Sequence, residues 1–479
     1  MLEQIKNIYF IGIGGIGMSA LARWFNTHQY QVAGYDRTPT TLTTQLQQEG
    51  IDIHFDDNVA HIPEAFTHPA TTLVVYTPAV PAQHKQLNYF KQHNFQVKKR
   101  AEVLGFLTQD RFTVAVAGTH GKTSTSSMIA HIIHYAKKNC TAFLGGILQE
   151  YESNLILSQE IDKESIMVVE ADEYDRSFLH LHPNIAVLNS VDADHLDIYG
   201  NEDSVLDSYV AFIKKIKENG RLFIKKEIHL GTNLLPNTVI TKSFALEQNA
   251  DCQAQHVQVS PEAFYFDFHT EDITIQNIKI KVPGYHNIIN ATVAIAVALE
   301  LGIDPQQIRD ALAVYKGVKR RFEYILQHKN IIYIDDYAHH PTEIEVFLKS
   351  VKAMYPNKKI TAIFQPHLFT RTRDFLDGFA KSLSLTDQLV LLDIYPAREQ
   401  PIQGVTSQLI LDKVTIKDKT LCGKNELYDF LQRNDTEVVL TIGAGDIGAM
   451  VDKIGALLNE KYIQKEENEK TNTQKQIKI

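Results

Sequence analysis

At 479 residues the chain is well beyond the size at which one hydrophobic core keeps growing, so two to four domains are expected. Its 44% hydrophobic and 22% charged residues are those of an ordinary globular protein. A formal charge of −9 and a pI near 6.1 argue against a nucleic-acid partner, which calls for a basic stripe.

Anionic small substrates stay open, because local arginines, lysines and helix N-termini bind phosphate even on an acidic protein. The cysteines Cys140, Cys252 and Cys422 form no C-x-x-C and fit neither a disulfide framework nor a zinc site. They read as buried thiols in a reducing compartment. The apolar stretch Ile8 to Ala22 is broken by glycines, and no run approaches the roughly 20 apolar residues that span a bilayer. A cytoplasmic protein without membrane insertion is expected.

Short apolar, β-rich runs alternate with helical periodicity, the pattern of parallel sheets covered by helices. The first block opens with a strand at Ile8–Ile13, a glycine turn and the helix-like MSALARWFN, and closes near residue 107. The second opens with RFTVAVAG, the loop GTHGKTS and the helix-like SSMIAHIIHYA, followed by strands in SIMVVEADEYD and NIAVLNSVDADHLD. Between about 220 and 282 short strands alternate (RLFI, VITKSF, AFYFDF, ITIQNIKIKV), which suggests an antiparallel patch. The helix ATVAIAVALELG follows, and the block ends near residue 323. The third block carries strands in NIIYIDDYAHHP, KITAIFQPH, QLVLLDIYPA and EVVLTIGAGDIG, each ending in polar or glycine residues, where ligands gather in open α/β sheets. Expected domains are therefore 1–107, 108–323 and 324–460, with a polar tail at 461–479 that reads as a frayed helix or as disordered.

Two glycine loops carry most of the chemistry. Gly12-Ile13-Gly14-Gly15-Ile16-Gly17 follows a strand and opens a helix, so a diphosphate can approach the helix N-terminus. Asp36, at the end of the next strand, stands where a dinucleotide-binding protein places a ribose ligand, but a UDP-sugar fits the loop equally well. The stronger signal is Gly118-Thr119-His120-Gly121-Lys122-Thr123-Ser124. Its backbone N–H groups can wrap the phosphates of ATP, Lys122 can reach the β and γ oxygens, and Thr123 can ligate Mg²⁺. Val116 takes the place of the first glycine of the usual G-x-x-x-x-G-K-[ST] pattern.

Glu170, at a strand end, sits where another Mg²⁺ ligand would hang beside this loop, whereas Asp172 and Glu173 read as solvated or supporting groups. His195 is a plausible ligand to a second Mg²⁺, although that ion prefers oxygen. Asp335, Asp336, Tyr337, His339 and His340 crowd the head of the third block, and the adjacent histidines lack the partner set of a zinc site. Lys319, Arg320, Arg321, Arg371 and Arg373 offer cations at strand ends or block junctions, with Arg321 and Arg371 favoured by position. Asn290, at a helix start, can cap that helix or meet an adenine edge.

The ordered set GIGGIGMS, AGTHGKTS, VVEADEYD, NSVDADHLDIYG, GYHNIINA, KRRFE, DDYAHHPTEI, FQPHLFTRT, IYPAREQPIQGVTS and GAGDIG resembles the Mur ligases over about residues 5–455. The resemblance implies three domains: a Rossmann-like domain for UDP, a central ATPase and a second Rossmann-like domain for the amino acid. It implies ATP-dependent ligation of L-alanine to the lactyl carboxylate of UDP-N-acetylmuramate, a step of peptidoglycan precursor synthesis. The alternative within the family is the ligase that recycles a ready-made tripeptide onto the same sugar.

By the same resemblance, Thr123 and Glu170 hold one Mg²⁺ and His195 the other, beside Lys122. Asn290 and Arg321 address the nucleotide, and Asp335 or Asp336 joins them. Gly14, Gly15, Gly17 and Ser19 meet the UDP diphosphate, while Tyr337, His339 and Arg371 face the amino acid. Many relatives carry a basic residue where this chain has Leu368. A monomer or homodimer is expected.

Overall fold

The computed structural model describes residues 2–158, 165–192, 202–230, 235–260, 262–397 and 399–476, the side chains of 202–203 and 464–476 aside. It is an α/β protein built on three sheets. The first takes β1 (Asn7–Ile11), β2 (Gln31–Tyr35), β3 (Asp52–His54), β4 (Thr72–Tyr76) and β5 (Gln96–Lys99) in the order β3-β2-β1-β4-β5, all parallel. Strand order reverses between β1 and β4, so a crevice opens at their carboxyl ends, where the first glycine loop leaves β1.

The second sheet has ten strands: β6 (Thr113–Ala117), β7 (Cys140–Leu148), β8 (Ser153–Ile156), β9 (Ile166–Ala171), β10 (Ile185–Leu188), β11 (Arg221–Lys225), β12 (Ile240–Leu246), β13 (Cys252–Val259), β14 (Phe264–His269) and β15 (Thr274–Ile280). Their order is β15-β14-β13-β12-β11-β10-β6-β9-β7-β8. β6 is buried at every position, because it lies between parallel neighbours. The antiparallel patch is narrower than its sequence suggested. β11 and β12 pair in parallel, as do β12 and β13, so RLFI and VITKSF extend the nucleotide sheet. The reversal begins only after β13, where Ser260 N donates to Ala263 O at 3.0 Å, and again after β14, where Thr270 N donates to Ile273 O at 2.8 Å.

The third sheet holds β16 (Glu323–Gln327), β17 (Ile332–Asp336), β18 (Ile360–Phe364), β19 (Gln388–Leu391), β20 (Lys419–Leu421) and β21 (Val438–Ile442) in the order β16-β17-β21-β18-β19-β20. Only the edge pair β16–β17 is antiparallel among its described pairings. The final helix, Val451–Gln476, runs through the polar stretch that read as a tail. Its apolar contacts reach Tyr462, and Lys461 donates to Leu431 O and Asn434 O.

The chain divides into two compact units: residues 1–257 with 266–279 and 287–316, and residues 258–265 with 280–286 and 317–479. In the first, one buried cluster joins Ile8, Phe10 and Leu21 to Ala115, Phe143 and Val169, so the first two sheets share a core. The second has its own core around Tyr333, Ile363, Val439 and Ile454. No helix among the described residues is long and apolar enough to cross a membrane. All three cysteines are buried and free.

Candidate active site

The loop 118–124 leaves the buried β6 and enters the helix Lys122–Tyr135. Gly118 and Gly121 hold φ of +133° and +79°, which a side chain would strain. A Cβ on Gly118 would lie 2.8 Å from Ser190 N, and one on Gly121 would lie 2.8 Å from Asn290 Oδ1. The loop is thus pressed against the segment after β10 and against the helix Tyr285–Glu300. Gly121 caps the helix with no side-chain bond, so its first-turn N–H groups are not taken by a capping side chain. Thr119 Oγ1 donates to Asp192 O at 2.8 Å, and His120 N donates to Ser190 Oγ at 2.8 Å.

Register places Glu170 opposite Val116 across β6 and β9. Thr123 Oγ1 donates to Glu170 Oε2 at 3.1 Å and Ser126 Oγ to Oε1 at 3.3 Å, while Gly145 N–H also donates to Glu170. Lys122 Nζ donates to Gly118 O at 2.7 Å and to both oxygens of Glu173, at 3.0 and 2.7 Å. Glu173 is 4% exposed, so of its two readings, solvated or supporting, the structure gives the supporting one. Burial opposes charge on Lys122, but Glu173, Asp172 and Glu170 together outweigh it and hold the ammonium protonated. Asn290 Nδ2 donates to Asn287 Oδ1 at 3.3 Å, beside Gly121. His195 lies outside the described residues.

At the other glycine loop, Gly12 takes φ +87° and Gly15 caps the helix Ile16–Thr27 without a side-chain bond. Gly14 N donates to Asp36 Oδ2 at 2.7 Å, so the acid at the end of β2 braces the loop. Gly17 faces Arg100, whose Nη1 would lie 2.8 Å from an added Cβ. Ser19 is fully buried, and its hydroxyl donates to Ile16 O at 2.9 Å and accepts from Asn154 Nδ2 at 3.0 Å. Sequence reasoning passed over Arg100, which is also within 3.5 Å of Asp172. Its signal was only a basic residue at a strand end.

In the second unit the residues after β17 converge. Asp335 is fully buried, accepts from Arg320 Nε at 2.9 Å and from Thr441 Oγ1 at 2.6 Å, and is pushed up chiefly by burial. Asp336 accepts from Phe322 N and Ala338 N, both at 2.7 Å. Burial pushes its carboxyl up to about 6, against the pull of Arg321. The guanidinium carbons of Arg320 and Arg321 each lie 5.2 Å from the centroid of the Tyr337 ring. Sequence position favoured Arg321, yet Arg320 makes the structural bonds, to Asp335 and to Gly443 O, while Arg321 is 4.0 Å from Glu343.

Pro341 and Glu343 then build the start of the helix Pro341–Met354, with His340 as its cap and the Glu343 carboxylate accepting from His339 N at 3.0 Å. His339 Nδ1 stands 3.0 Å from Tyr337 O, and its ring is 6.1 Å from that of His367. Arg371, 7% exposed, places Nη1 3.3 Å from His367 Nδ1. Leu368 is buried with φ +70°, at the entry to the short helix Phe369–Asp374.

Comparison with known proteins gives the family. Family models match in chain order: Mur ligase family, catalytic domain, at residues 7–112; Mur ligase middle domain at 116–298; and Mur ligase, glutamate ligase domain, at 320–445. A curated UDP-N-acetylmuramate–L-alanine ligase of Flavobacterium johnsoniae is 48% identical, over 96% of this chain and 99% of that protein. The protein of the same name from Flavobacterium psychrophilum is 50% identical, over 96% and 100%. Among solved structures, UDP-N-acetylmuramate-alanine ligase of Thermotoga maritima aligns with a TM-score of 0.79 at 28% identity, covering 96% of this chain and 99% of that one. A murein peptide ligase of Psychrobacter arcticus shares the fold, with a TM-score of 0.68 at 24% identity and coverage of 95% and 98%. With three consecutive family domains matched and relatives near half-identical along almost its whole length, the chain belongs to the Mur ligase family.

Proposed function

We propose that the protein joins L-alanine to the lactyl carboxylate of UDP-N-acetylmuramate, with ATP converted to ADP and phosphate. The carrying observation is the loop 118–124, with Lys122 at an uncapped helix N-terminus and Glu170 on Thr123, in a chain that matches ligases of this name along its length. A carboxylate is a poor acyl donor. Its oxygen attacks the γ-phosphorus, the bond to ADP breaks, and an acyl phosphate forms. The alanine nitrogen then attacks the acyl carbon, loses its proton, and phosphate leaves.

Lys122 neutralises phosphate charge in the first step, and the N–H groups of the loop and first helical turn hold the β and γ oxygens. Thr123 and Glu170 supply hard oxygen donors suited to Mg²⁺. Three carboxylates act on one ammonium here, a local excess of negative charge that a divalent cation would balance. When bound, that cation supplies electrostatic stabilisation of the transferring phosphoryl group. A second Mg²⁺ held by His195 belongs to the same reading.

Gly14, Gly15, Gly17 and the helix N-terminus behind them take the UDP diphosphate, joined by Arg100, whose guanidinium faces Gly17. Ser19 contributes through the helix it anchors, since its hydroxyl is already engaged at Ile16 and Asn154. Asn290, Arg321 and one of Asp335 and Asp336 serve the nucleotide, and Tyr337, His339 and Arg371 the amino acid. Domain spans of 1–107, 108–323 and 324–460 follow from the same reading, with support from three sheets that start at Asn7, Thr113 and Glu323.

Incubation with ATP, UDP-N-acetylmuramate and either L-alanine or the tripeptide decides the substrate. UDP-N-acetylmuramoyl-L-alanine is the expected product, and product with tripeptide alone would overturn the proposal. Oxygen-18 in the lactyl carboxylate is expected to appear in released phosphate.

A further inference from the structure

Remote from the nucleotide loop, the hairpin β13–β14 brings together two histidines and an aspartate. Alternation along β14 buries Phe264, Phe266 and Phe268 on one face and sets Asp267 and His269 together on the other. On β13, His256 lies across from them, with Nδ1 2.9 Å from Asp267 Oδ2. One ligand atom from each of His256, Asp267 and His269 falls within 4.8 Å of the other two. We infer that these three residues form a binding site for a transition-metal dication of the zinc class, with a solvent molecule completing the coordination.

The backbone is bent to make this grouping. His256 has φ +56° in the middle of β13, and Asn277 has φ +54° in the middle of β15. Neither is glycine, and such residues inside strands mark bulges that re-aim side chains. β13 and β15 flank β14 in the sheet, so both bulges adjoin the strand that carries Asp267. At Asn277 the freed N–H donates to Asp267 Oδ1 at 2.7 Å, which fixes the carboxylate and leaves Oδ2 toward His256.

His269 is prepared in a similar way. Its Nδ1 is 3.1 Å from Thr274 Oγ1, while its Nε2 is shielded from solvent without a hydrogen-bond partner. An unpaired ring nitrogen in a polar cluster is costly unless something binds it. An imidazole oriented by a hydroxyl at one nitrogen and carrying a metal at the other is a recurrent arrangement.

The donor set selects the ion. Two imidazoles and one carboxylate favour Zn²⁺, Co²⁺ or Ni²⁺ over Mg²⁺, which takes oxygen ligands and holds its waters. His256 is exposed, so solvent can reach a bound ion and complete its coordination. β13 is four places from β6 in the sheet, and at about 4.8 Å per strand the site lies roughly 20 Å from the nucleotide loop. Metal bound here would pin two bulged strands without competing for Thr123 and Glu170.

The test uses untagged, full-length, metal-stripped protein with excess Mg²⁺ and a non-hydrolysable ATP analogue filling the nucleotide site. Zn²⁺ is titrated against a chromophoric chelator, and Co²⁺ binding is followed by its visible ligand-field bands. One Zn²⁺ per chain is expected, weakened at least about tenfold by His256→Asn, Asp267→Asn or His269→Gln, with analogue affinity unchanged. Unchanged Zn²⁺ stoichiometry and affinity in all three variants would overturn the assignment. Should a substitution unfold the hairpin, X-ray absorption of Zn²⁺ on the unaltered protein still decides. Two imidazoles in the coordination shell support the site, and fewer than two refute it.

Discussion

Lys122 pairs with the buried Glu173 where the reaction needs a free ammonium for phosphate. Nucleotide phosphates would therefore take over a bond that the carboxylate holds at 2.7 Å. Lys122→Met removes that cation and leaves the buried Glu173 without the partner that opposes its desolvation. Phosphate release should fall by about a thousandfold or more, and stability by about 3 kcal/mol. Lys122→Met/Glu173→Gln should recover most of the stability, read from urea unfolding, but none of the activity. Equal instability of the single and double variants would show that charge is not what the pair contributes.

Asp336 gives a second residue-level test. Its carboxyl is pushed up to about 6 by burial, from an ordinary 3.8. Between those values the folded chain binds a proton that the unfolded chain has released. The group's contribution therefore favours folding increasingly as pH falls from 7 through 6, levels off below about 4, and is lost again on return to neutral pH. The carbon-13 shift of the Asp336 carboxyl, followed by NMR, should titrate near 6. A midpoint near 4 would mean that its two N–H donors and Arg321 fully offset the cost of burial.

At the scale of elements, the two glycine loops differ in what their glycines allow. Gly118 combines φ +133° with a backbone neighbour, Ser190 N, so Gly118→Ala strains the loop against atoms that cannot move aside. A loss of about 2–3 kcal/mol is expected, together with loss of nucleotide binding measured by calorimetry. Gly17 has no unusual φ, and its close neighbour is the far end of Arg100. Gly17→Ala should leave the melting temperature nearly unchanged while raising KM for the UDP-sugar, because the guanidinium must swing away. A large thermal loss in Gly17→Ala would mean that the helix start, not Arg100, sets the fit.

These loops were legible in the sequence because glycine, lysine and threonine at fixed spacing carry their own geometry. The capping box at His340–Glu343 is equally local. The partners of Glu173, Arg100 and Arg320 could not be read from the sequence because they are brought close only by folding, as with Lys122 and Glu173, 51 residues apart. The group His256, Asp267 and His269 was hidden for a related reason. Its members share a face only once β13 and β14 are in register and β13 is bulged, and neither fact follows from alternation. β11 and β12 looked like part of a meander because a short strand shows no preference for parallel or antiparallel neighbours until its connections are known.

At the scale of the whole chain, both glycine loops belong to the compact unit that contains residues 1–257, and the buried cluster from Ile8 to Ile224 is common to both of their sheets. The core around Tyr333 and Val439 belongs to the other unit. Thermal unfolding is therefore expected in two steps, with a calorimetric enthalpy above the van't Hoff value for either. A ligand stabilises the unit that binds it in proportion to the logarithm of its concentration over Kd, so a hundredfold excess adds about 2.7 kcal/mol. UDP alone and an ATP analogue alone should each raise the same transition, since each loop rests on the shared core. Melting by calorimetry with each ligand checks this. If no transition were raised by both UDP and the analogue, the first two sheets would be separate folding units, and the shared core would not couple the two binding sites.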